Sequence, residues 1–438
     1  MELLEKLDGR VDSGEVIYVE RMSRNVSFRG WKIRSSESTR ERGYAVRVIV
    51  DGKIGTAATT DENTVDEMID NAIKSAEFGE QLELEFPGKL DNYPTPNIYD
   101  ENVSDIAIPQ LADMGKELIS GIEKYRAECD CEVEVSVSQS KLYIANTNGF
   151  RGNYDRTAFS LSGSLTRVKE NDIYLAWDYY GSTDFPKDSS VAIKPVKDRL
   201  DEIMRYADAI VPAPKLQGKI PLVFSPYGAF VLLLPLTVGL NGENIYTKTS
   251  PVTNKLGEKI FDEKLTIFDD GTIDNKVSSS PFDAEGVPKT RLPLIQNGEL
   301  KNFLFDLTTA KKSGYKSNGC AERSLFYPPS PGTSNVIVQG GKHPTEDIIA
   351  DIKEGIIVEG VLGMGQGNIL SGAFSNPVAT GFKIENGKIT GRVKNIAIAG
   401  NIYENLQNIT AISSERKWIY GSYCLPYIRM DNVSVVGK

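Results

Sequence analysis

The segment GYAVRVIVDGKIGTAATTDENTVDEMIDNAIKSAEFG, residues 43–79, contains the two patterns that decide the fold. Its first half alternates apolar and polar residues around Asp51-Gly52, a dipeptide suited to a type I′ turn, and so predicts a β-hairpin. Its second half places apolar residues three and four positions apart, which predicts an amphipathic helix. Asn63 or Thr64 is suited to cap this helix and Gly79 to end it. The apolar stripe consists of Val65, Met68, Ile69, Ala72, Ile73 and Ala76.

The rest of the chain contains more strands than helices, in runs and not in regular alternation. A second helix is predicted from Pro109, a third lies within residues 194–210, and Asn297-Gly298 and Asn386-Gly387 predict two further hairpins. Such runs predict an α+β fold, in which N-terminal α/β modules precede a larger, mostly-β C-terminal domain.

A segment without periodicity, VPAPKLQGK at residues 211–219, marks the best domain boundary. We therefore expect three units. Residues 1–100 are predicted to form an N-terminal α+β subdomain, and residues 101–212 a second, strand-rich subdomain with a closing helix. Residues 217–438 are predicted to form the mostly-β domain.

Composition narrows the classes of function. The 438 residues carry a formal net charge of −10, from 50 Lys and Arg against 60 Asp and Glu. An acidic chain lacks the net positive charge that attracts DNA or anionic lipid, so direct nucleic-acid binding is disfavoured. No window reaches the ~18 uninterrupted apolar residues of a membrane-spanning helix, and the N-terminus lacks a signal-peptide pattern. We expect a cytoplasmic protein without membrane contact.

The histidine and cysteine counts limit the possible catalytic chemistry. The single histidine, His343, precedes Pro344, and we expect it to be solvated in a loop. A catalytic pair of a nucleophile and a histidine would have to use this residue. A zinc site with two histidines cannot form within this chain, because it has only one. The spacing of the four cysteines matches neither a zinc knuckle nor a thioredoxin motif, so reduced thiols are expected. They are Cys129, Cys131, Cys320 and Cys424.

Three segments were considered as sites. The glycine-rich GVLGMGQGN at residues 360–368 lacks the following helix that a phosphate-binding loop needs, so it is interpreted as tight turns. The acidic residues of 269–271 and 283–286 are suited to turns or, less favourably, to a hard cation.

The block at residues 278–324 combines charges with glycines, and leaves two alternatives: solvated loop charges, or the wall of a polar cleft. The candidate cleft residues are Asp283, Glu285, Arg291, Asp306 and Arg323.

This block also resembles the signature region of the TldD/PmbA family. The resemblance is carried by FDAEGVPKTRLPLIQNGELKNFLFDLTTAKKSG with SNGCAERS, by RVIVDGKIGTAATTD, by GFKIENGKITGRVKNIAIAGN and by the closing PYIRMDNVSVVGK. These motifs occur in the same order along nearly the whole chain. The resemblance implies a cytoplasmic heterodimer of TldD and PmbA (also called TldE) that cleaves unfolded or extended peptides. It also implies that the TldD half carries zinc on an H-E-x-x-x-H helix, completed by a distant cysteine.

The zinc motif falls on LLLPLTVGLNGEN, residues 232–244, where its residues are missing. Pro235 and Leu240 stand at the two histidines and Leu236 at the glutamate, and no cysteine occurs near Ser413, the matching place. Proline and leucine offer no lone pair to zinc. The chain therefore resembles the PmbA/TldE branch, with no metal and no cofactor of its own and with zinc expected in a TldD partner. Pro235 also interrupts the apolar run, so an ordinary helix is not expected here.

Three hypotheses follow. The first is a non-metal subunit of a TldD/TldE-type peptidase, in heterodimer with a TldD-like paralogue, that binds unfolded or extended peptides. The second is a stand-alone homodimeric peptide- or protein-binding module or regulator without peptidase activity. The third, direct regulation of DNA gyrase or DNA, follows an older family label, modulator of DNA gyrase, and the acidic charge disfavours it.

Overall fold

The computed structural model describes residues 2–214 and 219–437. The centre of the predicted boundary segment, residues 215–218, lies outside the described residues. Two large sheets and ten helices make up the described fold, and they confirm the predicted α+β class.

The helices and strands are as follows, in chain order. The helices are α1 (Glu2–Glu5), α2 (Val65–Ala76), α3 (Asn102–Asp105), α4 (Ile108–Ile122), α5 (Ser190–Met204), α6 (Pro226–Gly239), α7 (Gly242–Tyr246), α8 (Leu307–Ser313), α9 (Thr345–Ile349) and α10 (Ile402–Asn405). The strands of the N-terminal half are β1 (Ser13–Arg29), β2 (Lys32–Val50), β3 (Lys53–Thr59), β4 (Cys129–Asn146), β5 (Arg151–Lys169) and β6 (Asp172–Ser182).

The strands of the C-terminal half are shorter. They are β7 (Leu222–Phe224), β8 (Ile267–Asp270), β9 (Arg291–Gln296), β10 (Glu299–Leu300), β11 (Ala321–Glu322), β12 (Ser330–Pro331), β13 (Val336–Val338), β14 (Glu354–Val361), β15 (Ala373–Glu385), β16 (Lys388–Arg392), β17 (Ile396–Asn401), β18 (Ala411–Ile419), β19 (Tyr423–Met430) and β20 (Ser434–Gly437).

The first sheet is antiparallel, with the order β3-β2-β1-β4-β5-β6. Helices α2, α4 and α5 cover one of its faces. Because side chains alternate between the faces of a strand, Val46 and Val48 point towards α2 while Arg47 points to the opposite face. The sheet contains strands from both the 1–100 and the 101–212 segments. The predicted division between those two segments stays a prediction.

The segment at residues 43–79 folds as its pattern predicts. Asp51 and Gly52 have φ angles of 50° and 73°, the left-handed geometry of a type I′ turn between β2 and β3. Helix α2 buries one side of its apolar stripe against these strands. Gly55 permits the close packing, since a Cβ there would lie 2.0 Å from the carbonyl oxygen of Ala72. The predicted capping differs, because Asp61 accepts a hydrogen bond from the Asn63 amide while Thr64 makes no side-chain cap.

The second sheet is mixed and twelve-stranded, with the main order β10-β9-β8-β13-β19-β7-β14-β15-β17-β20; β16 pairs with β15 and β18 with β19. The two further predicted hairpin turns are confirmed, because Asn297, Gly298, Asn386 and Gly387 all have positive φ. Helix α6 packs against β14, β18 and β19 inside the main core of this half. Within the described residues, no helix is long and apolar enough to cross a membrane.

The expectation that Pro235 would prevent an ordinary helix is wrong. Helix α6 runs for 14 residues, and Pro235 lies inside it, in its last turns. The helix starts earlier than the quoted run, at Pro226, where Ser225 caps it by accepting a hydrogen bond from the Gly228 amide at 3.2 Å. Burial of its apolar side chains stabilises the helix despite the backbone hydrogen bond that proline cannot donate.

Candidate functional site

Four charged side chains meet where the first sheet packs against the C-terminal half, and we call them the Arg47 cluster: Glu15, Arg47, Glu285 and Arg323. The Arg47 Nε lies 3.0 Å from Glu15 Oε1, and its Nη1 lies 2.7 Å from Glu285 Oε1. Arg323 forms a second ion pair with Glu15. The side chains of Arg47 and Glu15 are 2% and 0% exposed. The cluster therefore joins β1 and β2 to two loops of the C-terminal half without contact with solvent.

Burial gives the two carboxyl groups of the cluster opposite pKa shifts. For Glu285, burial raises the pKa to about 8; Arg47 opposes this shift, while Asp283 and Asp306 add to it. For Glu15, burial acts in the same direction, but the charges of Arg323 and Arg47 outweigh it and lower the pKa below 4.5. The opposite shifts follow from Arg323, which places a second positive charge beside Glu15, whereas Asp283 and Asp306 place further negative charge near Glu285.

Neighbouring carboxylates bind backbone amides. Asp283 accepts hydrogen bonds from the amides of Glu285, Val287 and Ala321 at 2.9 to 3.0 Å. Asp306 caps α8 by accepting from the Thr309 amide at 2.7 Å. Such bonds hold loops in place, a structural role for buried carboxylates.

The structure thus brings four of the five candidate cleft residues together, but it does not place them on an exposed wall. These four lie inside the protein, and each has charged or backbone partners there. They are Asp283, Glu285, Asp306 and Arg323. Arg291 lies apart from them, with 60% of its side chain exposed and its guanidinium 4.2 Å from the centre of the Phe268 ring. A role in substrate binding stays a prediction for all five.

Sequence reasoning missed Glu15 and Arg47. Arg47 stands within the apolar run AVRVIV of β2, and Glu15 faces it across the β1–β2 pairing. A lone arginine in a strand that is otherwise Val and Ile was the available signal, since a charge at such a position needs a buried partner.

The three positions of the missing zinc motif lie at the C-terminal end of α6. Pro235 and Leu236 are buried in the helix, and Leu240 follows it, fully buried in the main core. None of them carries a metal-binding atom. Ser413, at the place of the family's cysteine, is buried; its hydroxyl donates to the Glu415 carbonyl and accepts from the Tyr427 amide. These residues do not fit a zinc ion.

No alternative metal site replaces the missing one in the described parts of the chain. Residues 2–214 and 219–437 contain no group of three or more His, Cys, Asp or Glu side chains that could hold a metal ion. His343 is exposed in its loop, as predicted. The four cysteines are buried free thiols.

A cavity of about 300 Å³ lies beside α6, and we call it the α6 cavity. Val231, Leu234 and Pro235 form its helical side, and residues 362–369 and 373–377 form the other side. Gly363, Gly365 and Gly367 have φ angles of 68°, 85° and 94°, so the predicted tight turns of the 360–368 segment are confirmed. Because these glycines lack side chains, backbone of another chain can approach closely. The cavity therefore adjoins Pro235, one of the positions of the missing motif.

A polar network fixes the other end of α6 to the first sheet. Ser225 donates to Glu359 at 2.8 Å, and Arg199 of α5 pairs with the same carboxylate. Tyr227 of α6 donates to Asp178 of β6, whose other oxygen lies 2.7 Å from Lys417 Nζ. This network was not predicted from the sequence, because its members come from five separate segments and form no motif.

Comparison with known proteins defines the class as metallopeptidase-like. Two family models match the chain: PmbA/TldA metallopeptidase domain 1 over residues 14–76, and the PmbA/TldA metallopeptidase C-terminal domain over residues 217–437. The chain therefore belongs to the TldD/PmbA family, and the resemblance inferred from its motifs is confirmed.

Several relatives match most of the chain. An uncharacterized protein of Methanocaldococcus jannaschii is 28% identical over 402 residues, which are 89% of either chain. A metalloprotease of the same organism is 26% identical, covering 97% of this chain and 94% of its own length. The metalloprotease PmbA of Escherichia coli O157:H7 is 24% identical, covering 94% and 90%.

Two solved structures share the fold. TldE from Thermococcus kodakarensis matches with a TM-score of 0.88 and 24% identity, covering 100% of this chain and 99% of its own. A protein of Thermotoga maritima, named as a candidate modulator of a DNA gyrase, matches with a TM-score of 0.89 and 22% identity, covering 99% and 98%.

Proposed function

We propose that this chain is the non-metal subunit of a cytoplasmic TldD/TldE-type peptidase. It holds an unfolded or extended peptide while a TldD-like paralogue, in heterodimer with it, supplies the zinc. One observation carries the proposal: within a metallopeptidase-family fold, the positions of the zinc motif are occupied by Pro235, Leu236 and Leu240. Two of these side chains are part of a packed core, so the scaffold is retained without metal-binding atoms.

The α6 cavity supports a role in holding peptide. Its volume of about 300 Å³ is at the lower end of ligand sites, which suits a segment of chain more than a large cofactor. Its lining combines apolar side chains with the glycine-rich backbone of residues 363–367. A site of this kind recognises the main chain and tolerates many side chains, as expected for a subunit acting on unfolded peptides.

An open strand edge gives further support. Strand β3 pairs with Tyr44–Val50 of β2, so residues 32–43 of β2 extend beyond it at the edge of the sheet. Open edges bind extended peptides through backbone hydrogen bonds that require no particular sequence. Most side chains of residues 32–42 are exposed.

Zinc content and activity of the purified chain test the proposal. We expect less than stoichiometric zinc and no peptidase activity from the chain alone, and activity on unfolded peptides after mixing with a TldD-like partner. Gly365→Val, which places a branched side chain on the wall of the α6 cavity, is expected to reduce cleavage by the reconstituted pair. Gly257→Val is the matched control, since Gly257 also has positive φ but lies outside this cavity.

Stoichiometric zinc together with peptidase activity from this chain alone would overturn the proposal. Co-purification from the native host separates it from the second candidate, a homodimeric binding module. That candidate is favoured by a row of exposed apolar side chains on β5 and β6, Val168, Ile173 and Leu175, which is suited to a protein neighbour. An equimolar TldD-like protein supports the heterodimer, and a second copy of this chain alone supports the module.

A further inference from the structure

A second cavity borders the Arg47 cluster, and we call it the Arg323 cavity. Its volume is about 100 Å³, and its walls come from residues 45–47, 56–58, 323 and 325–328. This volume is well above the about 10–15 Å³ that one water needs and well below the about 300 Å³ at which ordinary small-ligand sites begin. None of the residues that line it also lines the α6 cavity. The Arg323 cavity can therefore hold a ligand of only a few heavy atoms.

The floor of the cavity is the face of the first sheet that lies opposite its helices. Arg47 points to this face, and Ala45 points there too, because side chains two residues apart on a strand share a face. Ala58 pairs with Ala45 across β2 and β3 and therefore lies beside it. The covering loop packs on the same face, because Leu325 Cδ2 lies 2.2 Å from the position of a Cβ on Gly43. The cavity thus has small apolar walls next to the charged cluster.

Two guanidinium groups converge on the inner side of the cavity. The Arg47 Nε lies 3.0 Å from Glu15 Oε1, and the Arg323 Nη2 donates a hydrogen bond to the same oxygen. These two nitrogens are therefore at most about 6 Å apart, twice the length of a hydrogen bond. The two arginine side chains are 2% and 7% exposed. Two buried positive groups at this distance can bind one ligand together.

Each guanidinium keeps an N–H group that the protein does not satisfy. Among residues 2–214 and 219–437, no acceptor binds the buried Arg47 Nη2 or the buried Arg323 Nε. Buried donors are rarely left without a partner, because their desolvation is costly, and most of all for charged groups. Both arginines line the Arg323 cavity, so a ligand in it can accept from both.

The chemistry of the walls decides the class of ligand. The donors belong to two cations, so the ligand must supply acceptor oxygens and negative charge. A planar carboxylate suits guanidinium groups, because its two oxygens can each accept a hydrogen bond. Glu15 and Glu285 lie in the same cluster and disfavour a second negative charge, which argues against phosphate and dicarboxylates. The apolar walls can accept a methyl group beside the carboxylate.

We propose that the Arg323 cavity binds a small monocarboxylate of the size of acetate. Its oxygens accept hydrogen bonds from Arg47 Nη2 and Arg323 Nε, and its methyl group contacts the apolar walls. Phe326 and Tyr327 line the cavity and are 64% and 72% exposed, so its outer wall lies at the surface of the protein. A bound carboxylate links β2 to the loop of residues 325–328. This proposal goes beyond the proposed function, because the cavity is too small for a peptide and the binding requires no partner.

Thermal unfolding of the purified chain in sodium acetate, against sodium chloride at the same ionic strength, tests the ligand. We expect acetate to raise the Tm in a saturable way, by about 1–2 °C at ten times its Kd, and chloride to give no saturable rise. Saturation-transfer NMR of the acetate methyl protons measures the binding directly. Equal Tm values in acetate and chloride overturn the proposal. The absence of saturation transfer overturns it as well, and would leave water as the partner of the two N–H groups.

Two variants locate the site. Ala58→Leu fills the cavity without removing a charge, and we expect it to abolish both the saturable rise in Tm and the saturation transfer. Ala127→Leu is the matched control, since Ala127 is exposed and lies outside the cavity. Arg323→Lys keeps the positive charge but loses the planar guanidinium, and is expected to weaken acetate binding about tenfold. Circular dichroism establishes that each variant is folded.

The variants can also contradict the location of the site. A full acetate response in folded Ala58→Leu protein overturns it. If Ala58→Leu does not fold, Arg323→Lys decides alone, and an unchanged acetate affinity then overturns the assignment. Zinc content and reconstituted cleavage do not depend on acetate, so this proposal and the proposed function fail separately.

Discussion

The Arg47 cluster and the C-terminal end of helix α6 are both buried, yet they are built from opposite kinds of residue. The cluster fills its space with four charged side chains, and their stability depends on mutual pairing. The end of α6 fills its space with proline and leucine, which need only contact with apolar neighbours. The resemblance to the family places the zinc motif of the TldD branch at the second place. In this chain the concentration of charge is at the first.

This comparison distinguishes charged residues that stabilise the fold from charged residues that take part in catalysis. Burial beside opposite charges, as for Glu15, marks a charged group that holds segments together. Apolar residues at a position that bears metal ligands in a paralogue mark a loss of chemistry without a loss of packing. The density of charged residues along the sequence pointed mostly to residues that the structure buries, and a functional role for either place stays a prediction.

The largest effect is expected from Arg47→Met. The substitution leaves Glu15 with one partner and removes the ion pair between Arg47 and Glu285, so we expect the free energy of unfolding to fall by about 3–5 kcal/mol. Urea unfolding measures it. Arg42→Met is the control on the same strand: Arg42 pairs with Glu62 at the surface, and its loss should cost less than about 0.5 kcal/mol.

Equal stability of the Arg47 and Arg42 variants would show that the cluster contributes no more than a surface pair. The same reasoning changes what is expected of Arg323→Ala. If Arg323 lined a polar cleft, one of the two alternatives that the sequence leaves, this variant would reduce peptide cleavage and leave the subunit folded. Because Arg323 pairs with the buried Glu15, we now expect it to destabilise the fold as well.

A smaller effect is expected from removing an apolar side chain of α6. Leu236→Ala leaves a cavity in the main core and should lower the free energy of unfolding by about 2–4 kcal/mol. Leu234→Ala, two residues earlier, truncates a half-buried side chain that lines the α6 cavity, and should lower it by less than about 1.5 kcal/mol. Thermal and urea unfolding measure both.

For peptide cleavage we expect the opposite order, with the larger effect from the Leu234 variant and the smaller effect from the Leu236 variant. Leu234→Ala changes the shape of the proposed peptide cavity and is expected to alter cleavage by a reconstituted pair, whereas residual Leu236→Ala protein that folds should cleave nearly normally. If Leu234→Ala lost more stability than Leu236→Ala, the assignment of the two faces of α6 would be wrong.

The sequence predicted those parts of the fold whose pattern is local. The turns at Asp51, Asn297 and Asn386 and the stripe of α2 depend on neighbours within a few residues, and the structure confirms them. The Arg47 cluster depends on residues as far as 308 positions apart, such as Glu15 and Arg323, whose meeting no local pattern encodes. Helix α6 was missed because the penalty of Pro235 is local while the packing that outweighs it is tertiary.

The smallest effect concerns how the free energy of unfolding depends on pH. Two carboxyl groups on either side of Arg47, those of Glu285 and Glu15, are expected to contribute to it differently. Glu285 has a folded pKa of about 8 against an ordinary 4.5, so it binds its proton more strongly in the folded state. Its contribution to stability is present at low pH and is lost as the pH rises from 4.5 to 8. Glu15 has a lowered pKa, so its contribution is present above 4.5 and is lost as the pH falls.

Glutamine variants remove these titrations one at a time. Relative to the unchanged chain, Glu285→Gln is expected to gain at least about 1.4 kcal/mol of unfolding free energy between pH 5 and pH 8, the equivalent of one pKa unit. Glu15→Gln should show little change over the same interval, because the lowered pKa of Glu15 places its titration below pH 4.5. Urea unfolding at pH 5, 6.5 and 8 measures both. Parallel curves for the two variants would mean that the pKa of Glu285 is not raised in the folded protein.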